Sequence, residues 1–306
     1  MKVAIVGCGN ISHRHAEAYA KTGRADLVGV ADVVEAKARA AAEKYGATPY
    51  ASVTELLAAE DPDLVSVTTP PGSHAEIAIS DYGRAMKIPD GMGYEQAATL
   101  PIGLNTLHNA LITAGRLKAG ESVMVQGASS GVGIIGLQIA KLMGAKFVVG
   151  TSTNDARRAK LKEYGADLAV STKDPTWPEQ VLKATGGKGL DLTVDMLSGP
   201  TVSQTMACTA LRGRIVNIGR LAGMKAEFDF DAHARQRIDY IGVTFRTRTI
   251  EEVREILIKM RADLWDDVKA GRIKVPIDKT YPLAEAKAGH EHMRTNQHFG
   301  KILLIP

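Results

Sequence analysis

The sequence predicts an α/β protein made of two doubly wound parallel-sheet units. Three observations carry that expectation. Residues 121–150, ESVMVQGASSGVGIIGLQIAKLMGAKFVVG, read as strand, small-residue loop, helix and strand. Residues 1–32 repeat that order around a second glycine turn, GCGNIS. The chain has 306 residues, 45% of them hydrophobic and 24% charged, which is ordinary composition and enough length for two domains.

The later stretch is the fuller signal. Val123, Met124 and Val125 form a short apolar run, as a strand buried on both faces would. Gly127, Ala128, Ser129, Ser130, Gly131, Val132 and Gly133 follow, then Ile135, Ile139 and Leu142 at helical spacing. Glycines let the backbone approach a pyrophosphate, and a helix start offers free N–H groups with positive partial charge. Ser129 to Gly133 are therefore the candidate phosphate cradle of a Rossmann-like unit. After Val149 the chain reads Gly150-Thr151-Ser152-Thr153-Asn154, with no carboxylate, and Arg157 opens the next helix. A missing acid removes repulsion toward a 2′-phosphate, and a guanidinium can pair with one. NADPH is the expected cofactor, with Asn154 and Arg157 as 2′-phosphate partners and Ser152 beside them.

The earlier unit is a half. Strands are expected at residues 2–7, 27–31 and 64–68, with helices through about residue 20, at 35–45 and at 53–59, in a half-sheet of four strands. Gly7, Gly9, Asn10 and Ile11 form its glycine turn, and Asp32 closes its second strand. An acid there takes ribose hydroxyls and favours NAD, so NAD is possible at this unit. An open sheet edge invites pairing, so that edge is expected to be covered.

Composition excludes several classes. No apolar run approaches the roughly 20 residues that span a bilayer. MKVAIVGCGN is read as a strand, not a leader, because glycines break it. Lys and Arg number 38 against 34 Asp and Glu, and residues 1–72 are net −2 while the rest is net +6. No dense basic run points to nucleic acid. Two cysteines, Cys8 and Cys208, give neither a disulfide framework nor a CxxC pair, so a cytoplasmic setting is expected. His290 and His292 stand two apart and do not share a helix face, and no metal site is expected. His13 and His15 flank the first helix start, and His74 has no visible partner in sequence.

VGCGNIS, Asp32 and the TTPPGSH loop resemble the N-terminal domain of the glucose–fructose oxidoreductase and inositol dehydrogenase family, over about residues 1–76. The Glu-Lys-Pro motif and substrate sheet of that family do not follow. From about residue 73 the phrases KIPDG, EQAATLP, LKAGESVMVQGASSGVG, DMLSG, LRGRIVNIG, TFRTRT and HMRTNQHFGKILL resemble the medium-chain dehydrogenase/reductases, in particular the zinc-free NADPH:quinone oxidoreductases. A chimera with a junction near residues 71–77 is expected. The second resemblance implies a remnant of the medium-chain reductase catalytic domain at residues 72–103. An NADP-binding Rossmann domain at 104–246 and a C-terminal segment packing back at 247–306 would follow it. By the same resemblance Thr172, Leu197, Phe245, Arg246, Asn296, Gly300 and Lys301 face the cofactor, and a homodimer forms through residues 241–245. It implies zinc-independent hydride transfer from NADPH to a small quinone or enone, with no catalytic residue identifiable. A recombined scaffold that binds nucleotide without turnover, and an NAD-dependent sugar or polyol dehydrogenase, are the alternatives.

Overall fold

The computed structural model describes residues 1–32, 34–67 and 82–305, with the backbone alone for residues 10, 11, 64–67 and 82. The TTPPGSH loop, His74 and the expected junction near residues 71–77 lie outside the described residues. Two compact units divide the chain: Met1–Ala85 with Pro282–Ala286, and Met86–Tyr281 with Lys287–Ile305.

The first unit runs β1 (Lys2–Val6), α1 (Asn10–Thr22), β2 (Asp26–Ala31), α2 (Glu35–Tyr45), β3 (Thr48–Tyr50), α3 (Val53–Glu60) and β4 (Leu64–Val67). Its four parallel strands lie in the order β3-β2-β1-β4. The short β3 was not legible as a strand, since three residues with a central proline carry no period. Pro49 is tolerated there because β3 is an edge. The core is small-residue and aliphatic: Val3, Ala4, Ile5, Val30, Ala38, Ala41 and Leu56 are buried. Ala38, Ala41 and Ala42 put the α2 backbone close to the sheet.

The second unit continues with α4 (Tyr94–Thr99), α5 (Pro101–His108), β5 (Ser122–Val125), α6 (Gly131–Leu142), β6 (Phe147–Thr151), α7 (Asp155–Ala159), β7 (Leu168–Val170), α8 (Trp177–Ala184), β8 (Leu190–Asp195), α9 (Val202–Ala207), β9 (Thr209–Asn217), α10 (Phe230–Gln236), β10 (Asp239–Gly242), α11 (Ile250–Lys269), β11 (Ile277–Pro282), α12 (Ala286–Arg294) and β12 (Lys301–Ile305). Six parallel strands lie in the order β10-β9-β8-β5-β6-β7, and β11 pairs with β12 in a separate two-stranded sheet. The six-stranded order is that of a complete doubly wound sheet, whose direction of winding reverses between β5 and β8.

The α6 helix is apolar almost all round, with Ile134, Ile135, Leu137, Ile139 and Ala140 fully buried. One face meets β5; the other meets α5, where a side chain at Gly136 would strike Leu107 Cδ1 at 2.7 Å. Leu142, expected on the core face, closes the helix at 36% exposure. The α11 helix begins with a capping box, Thr249 and Glu252, and buries Val253, Ile256, Leu257, Met260 and Leu264 at helical spacing. His108, buried on α5, sits 2.7 Å from Asp263 of α11 and ties the two helices together.

The helix that Arg157 was expected to open is α-helical only to Ala159 and tightens to a 3-10 turn over Lys160–Tyr164, ended by Gly165 at φ 102°. The α9 helix stops at Ala207, because Thr209 pairs with Leu190 and starts the long β9. Of residues 241–245, only the first two belong to β10, which ends at Gly242. No helix is long and apolar enough to cross a membrane among the described residues.

Both cysteines are buried and unpaired as thiols. Burial pushes Cys208 up to about 12; burial, then the Asp32 charge, pushes Cys8 up to about 11. Both stay protonated at pH 8, and the thiolate is the reactive form. The native chain should therefore leave a disulfide thiol reagent unreacted at that pH, and both thiols should titrate once denaturant is added. Rapid reaction of either in native buffer would contradict the burial described.

Candidate functional site

The site of the second unit lies at the carboxyl end of the sheet, where the winding reverses. The loop after β5 is fastened to the next strand. Gly127 N–H donates to Thr151 Oγ1 at 3.0 Å and Ala128 N–H to the Thr151 carbonyl at 2.9 Å. Ser130 is the N-cap of α6: its hydroxyl accepts from Gly133 N–H at 3.1 Å and donates to the Gly127 carbonyl at 2.9 Å. The remaining first-turn N–H groups lack intrahelical partners by construction of any helix.

Gly133 is fixed by close approach. A Cβ there would sit 2.6 Å from Ala128 Cα and from the Gly127 carbonyl oxygen, both backbone atoms. The nearest atoms to a Cβ at Gly131 would be those of the Lys301 stem, at 2.7–2.9 Å. The C-terminal segment reaches this loop, since Ser130 and Gly300 form an isolated parallel bridge. Burial holds the Lys301 ammonium below the usual lysine range beside the start of α6.

A cavity of about 220 Å³ opens here, lined by Gly127, Ser129, Ser130, Thr151, Ser152, Thr153, Arg157, Thr172, Leu197, Leu221, Ala222, Asn296 and His298. Of the sequence candidates it gathers Ser129, Ser130, Ser152, Arg157, Thr172, Leu197 and Asn296. Gly131, Val132 and Gly133 form the start of α6 behind it. Ser152 Oγ donates to Ser129 Oγ at 3.0 Å, joining the two loops. Asn154 caps α7: its Oδ1 accepts from Arg157 N–H at 2.9 Å. Phe245 and Arg246 do not line the cavity; Arg248 lies over the Phe245 ring at 5.6 Å, and Arg246 N–H donates to Thr244 Oγ1. Leu221, Ala222 and His298 were missed. The strand-end phrase NIG at 217–219 pointed toward the first two, but nothing in the sequence pointed to His298.

One wall is braced by Asp195 at the end of β8, 1% exposed. Its Oδ1 accepts from Leu197 N–H at 2.9 Å and Ser198 N–H at 2.8 Å. Its Oδ2 accepts from Ser198 Oγ at 3.1 Å, Asn217 Nδ2 at 3.3 Å and Tyr240 Oη at 3.4 Å. Burial, then the Asp195 charge, raises the Tyr240 phenol above its usual value. This network sets the turn that carries Leu197 into the cavity.

The first unit has a smaller cavity of about 110 Å³, lined by Val6, Gly7, Ala31, Asp32, Ala51, Ser52 and Val53. Gly7 turns at φ 91°, a conformation that favours glycine. Asp32 accepts from Cys8 N–H at 2.7 Å and Val34 N–H at 2.8 Å, so each carboxylate oxygen already holds the loop. Gly9 precedes α1, and a Cβ there would meet nothing within 4 Å; the Asn10 and Ile11 side chains lie outside the described residues. No group of three His, Cys, Asp or Glu is placed to hold a metal among the described residues.

The second cavity fits a dinucleotide on physical grounds. It joins a helix start, a glycine that admits no side chain, cationic Arg157 and Lys301, and two buried ring or guanidinium nitrogens with no hydrogen-bond partner among the described residues. Comparison with known proteins agrees in kind. The chain is 28% identical over 235 residues to a quinone oxidoreductase of Homo sapiens, spanning 76% of this chain and 69% of that protein. It is 27% identical over 245 residues to a reducing polyketide synthase of Floropilus chiversii, spanning 79% of this chain but only 10% of that much longer protein. A crystal structure of an Escherichia coli quinone oxidoreductase complexed with NADPH superposes with TM-score 0.65 at 25% identity, covering 73% of this chain and 69% of that one. Two family signatures stand in one chain: residues 1–86 match the oxidoreductase family with an NAD-binding Rossmann fold, and residues 131–262 match the zinc-binding dehydrogenase family.

Proposed function

We propose that the second unit binds NADPH and that the protein is a zinc-independent oxidoreductase passing hydride to a small quinone or enone. The observation that carries this reading is the cavity at the β5–β8 reversal, with Arg157 on its wall and no carboxylate at the end of β6. Bound NADPH would supply the hydride itself. The chain's part is to hold and orient. Ser129 to Gly133 and the α6 start receive the pyrophosphate, and Lys301 adds positive charge beside it. Arg157 takes the 2′-phosphate, and Thr172 lines the adenine side. Leu197, Leu221 and Ala222 supply the apolar wall that keeps water from the nicotinamide end. Binding of NAD at Gly7, Gly9, Asn10, Ile11 and Asp32 is a separate proposal, as are a cytoplasmic setting and a homodimer formed along the free edge of β10.

A nucleotide-binding scaffold without turnover is the second reading. It is favoured by the two different family matches in one chain, at residues 1–86 and 131–262, as a recombined scaffold would carry. One assay separates them. NADPH oxidation is followed at 340 nm, a property of the cofactor, with a simple quinone and with a metal chelator added. The enzyme reading expects chelator-insensitive consumption well above the uncatalysed rate. Fluorescence quenching by NADPH with no consumption sinks it in favour of the scaffold.

A further inference from the structure

Two residues that line the cavity each keep a buried nitrogen without a hydrogen-bond partner among the described residues. Arg157 Nη1 donates to the His298 carbonyl at 3.1 Å and lies 3.4 Å from Asn296 Oδ1, yet its Nε has no hydrogen-bond partner among the described residues. His298 Nδ1 is buried in the same condition. Both residues line the cavity, beside Thr151, Ser152 and Thr153 at the end of β6. That strand end is where a doubly wound domain seats the adenine ribose. A buried Arg157 Nε–H without an acceptor is costly, and His298 Nδ1 becomes a second donor once the ring is protonated, so the site suits an anionic acceptor.

The charges around His298 favour an anion. Arg157 faces it from α7, Lys301 from β12, His292 from α12 and Asp278 from β11. That carboxylate is already engaged: Asp278 Oδ1 accepts from Phe299 N–H at 3.0 Å, and Oδ2 lies 3.3 Å from His292 Nε2.

We propose that His298 is a specificity-determining residue, which with Arg157 seats the 2′-phosphate of NADPH and takes up a proton as the cofactor binds. The proposal rests on the NADPH reading of this unit. Burial holds the His298 imidazole below its usual value, Asp278 opposes this, and Arg157, His292 and Lys301 add to it. A phosphate dianion alongside raises it in the complex. The complex therefore holds the proton to higher pH than the free chain. NADPH affinity should rise as pH falls through the imidazole value of the complex, and the gain is complete below the value of the free chain. A phosphate monoester takes up its own second proton near pH ~6, which caps the gain there. NADH lacks the 2′-phosphate and should show none of this dependence.

The test titrates the full chain with NADPH and with NADH by cofactor fluorescence between about pH 6 and 8.5, a range set by these two ionisations. Wild type is compared with His298→Gln and His298→Asn. The ratio of NADPH to NADH affinity in wild type should rise about tenfold from the alkaline to the acid end, the effect of one unit of imidazole shift. Both variants should show a flat ratio while still binding NADH, which also reports that they fold. A pH-independent preference for NADPH in wild type, or an unaltered profile in both variants, overturns the role of His298 and leaves the NADPH reading standing. A ratio near one at every pH overturns the NADPH reading and this inference together.

Discussion

Gly133→Ala is expected to lower the melting temperature by several degrees and to weaken dinucleotide binding at least tenfold. The added methyl would lie 2.6 Å from Ala128 Cα and from the Gly127 carbonyl oxygen. Neither atom can rotate away, so the loop or the first turn of α6 must move. Overpacking of this kind costs about 1–3 kcal/mol, and each kcal/mol shifts a domain of this size by about 2–4 °C. The same displacement breaks the Ser130 cap on Gly133 N–H and spoils the approach a pyrophosphate needs. Two controls calibrate the result. Gly131→Ala presses first on the flexible Lys301 stem and should cost less; Gly9→Ala meets nothing within 4 Å and should fall within about 0.5 kcal/mol of wild type. Thermal unfolding and NADPH titration of the three variants check the order. Equal behaviour of Gly133→Ala and Gly9→Ala would refute the close-approach account of the second loop.

Asp195→Ala should be the more damaging change for stability. It strips the acceptor from Leu197 N–H and Ser198 N–H, both held below 3 Å, while the Asn217 amide keeps the Gly219 carbonyl at 3.0 Å and the Tyr240 hydroxyl can turn to water. Each buried donor left unmade costs about 1–3 kcal/mol, so a total of about 2–4 kcal/mol is expected after partial relaxation. Asp195→Asn keeps Oδ1 for the two backbone N–H groups and sets an amide against the side-chain donors. The Ser198 and Tyr240 hydroxyls can turn to accept and the Asn217 amide keeps the Gly219 carbonyl, so a loss of only about 1 kcal/mol follows. Denaturant unfolding of both variants measures the difference. Leu197 rides on this turn, so cofactor affinity should fall with stability in Asp195→Ala. An alanine variant as stable as the asparagine one would show that the carboxylate does not hold the turn.

Much of the site was legible because it is local. Residues 121–151 announce themselves through a buried strand, a run of small residues and a helical period, and those thirty-odd positions fold against their own neighbours. Arg157 was legible for a related reason, lying a few residues past a strand end that lacks an acid. Asn154 could be placed beside Arg157 but not given its cap, because an asparagine at a strand end reads equally as a ligand partner and as a helix cap. The early start of β9 was not legible, because pairing with Leu190 fixes it.

By itself the sequence determined the α/β class, the two glycine-hinged units, and the identity of the loop that starts α6. Periodicity and glycine placement act over a turn or two, so they can be read in one dimension. The tertiary structure alone decided which distant residues share the cavity. His298 and Arg157 stand 141 positions apart, and Asp195 gathers donors from β9, from β10 and from the turn that follows it. Such meetings follow from strand order and from where the C-terminal segment crosses the glycine loop. No local preference encodes them, because the energy that fixes them comes from burial shared across the whole sheet.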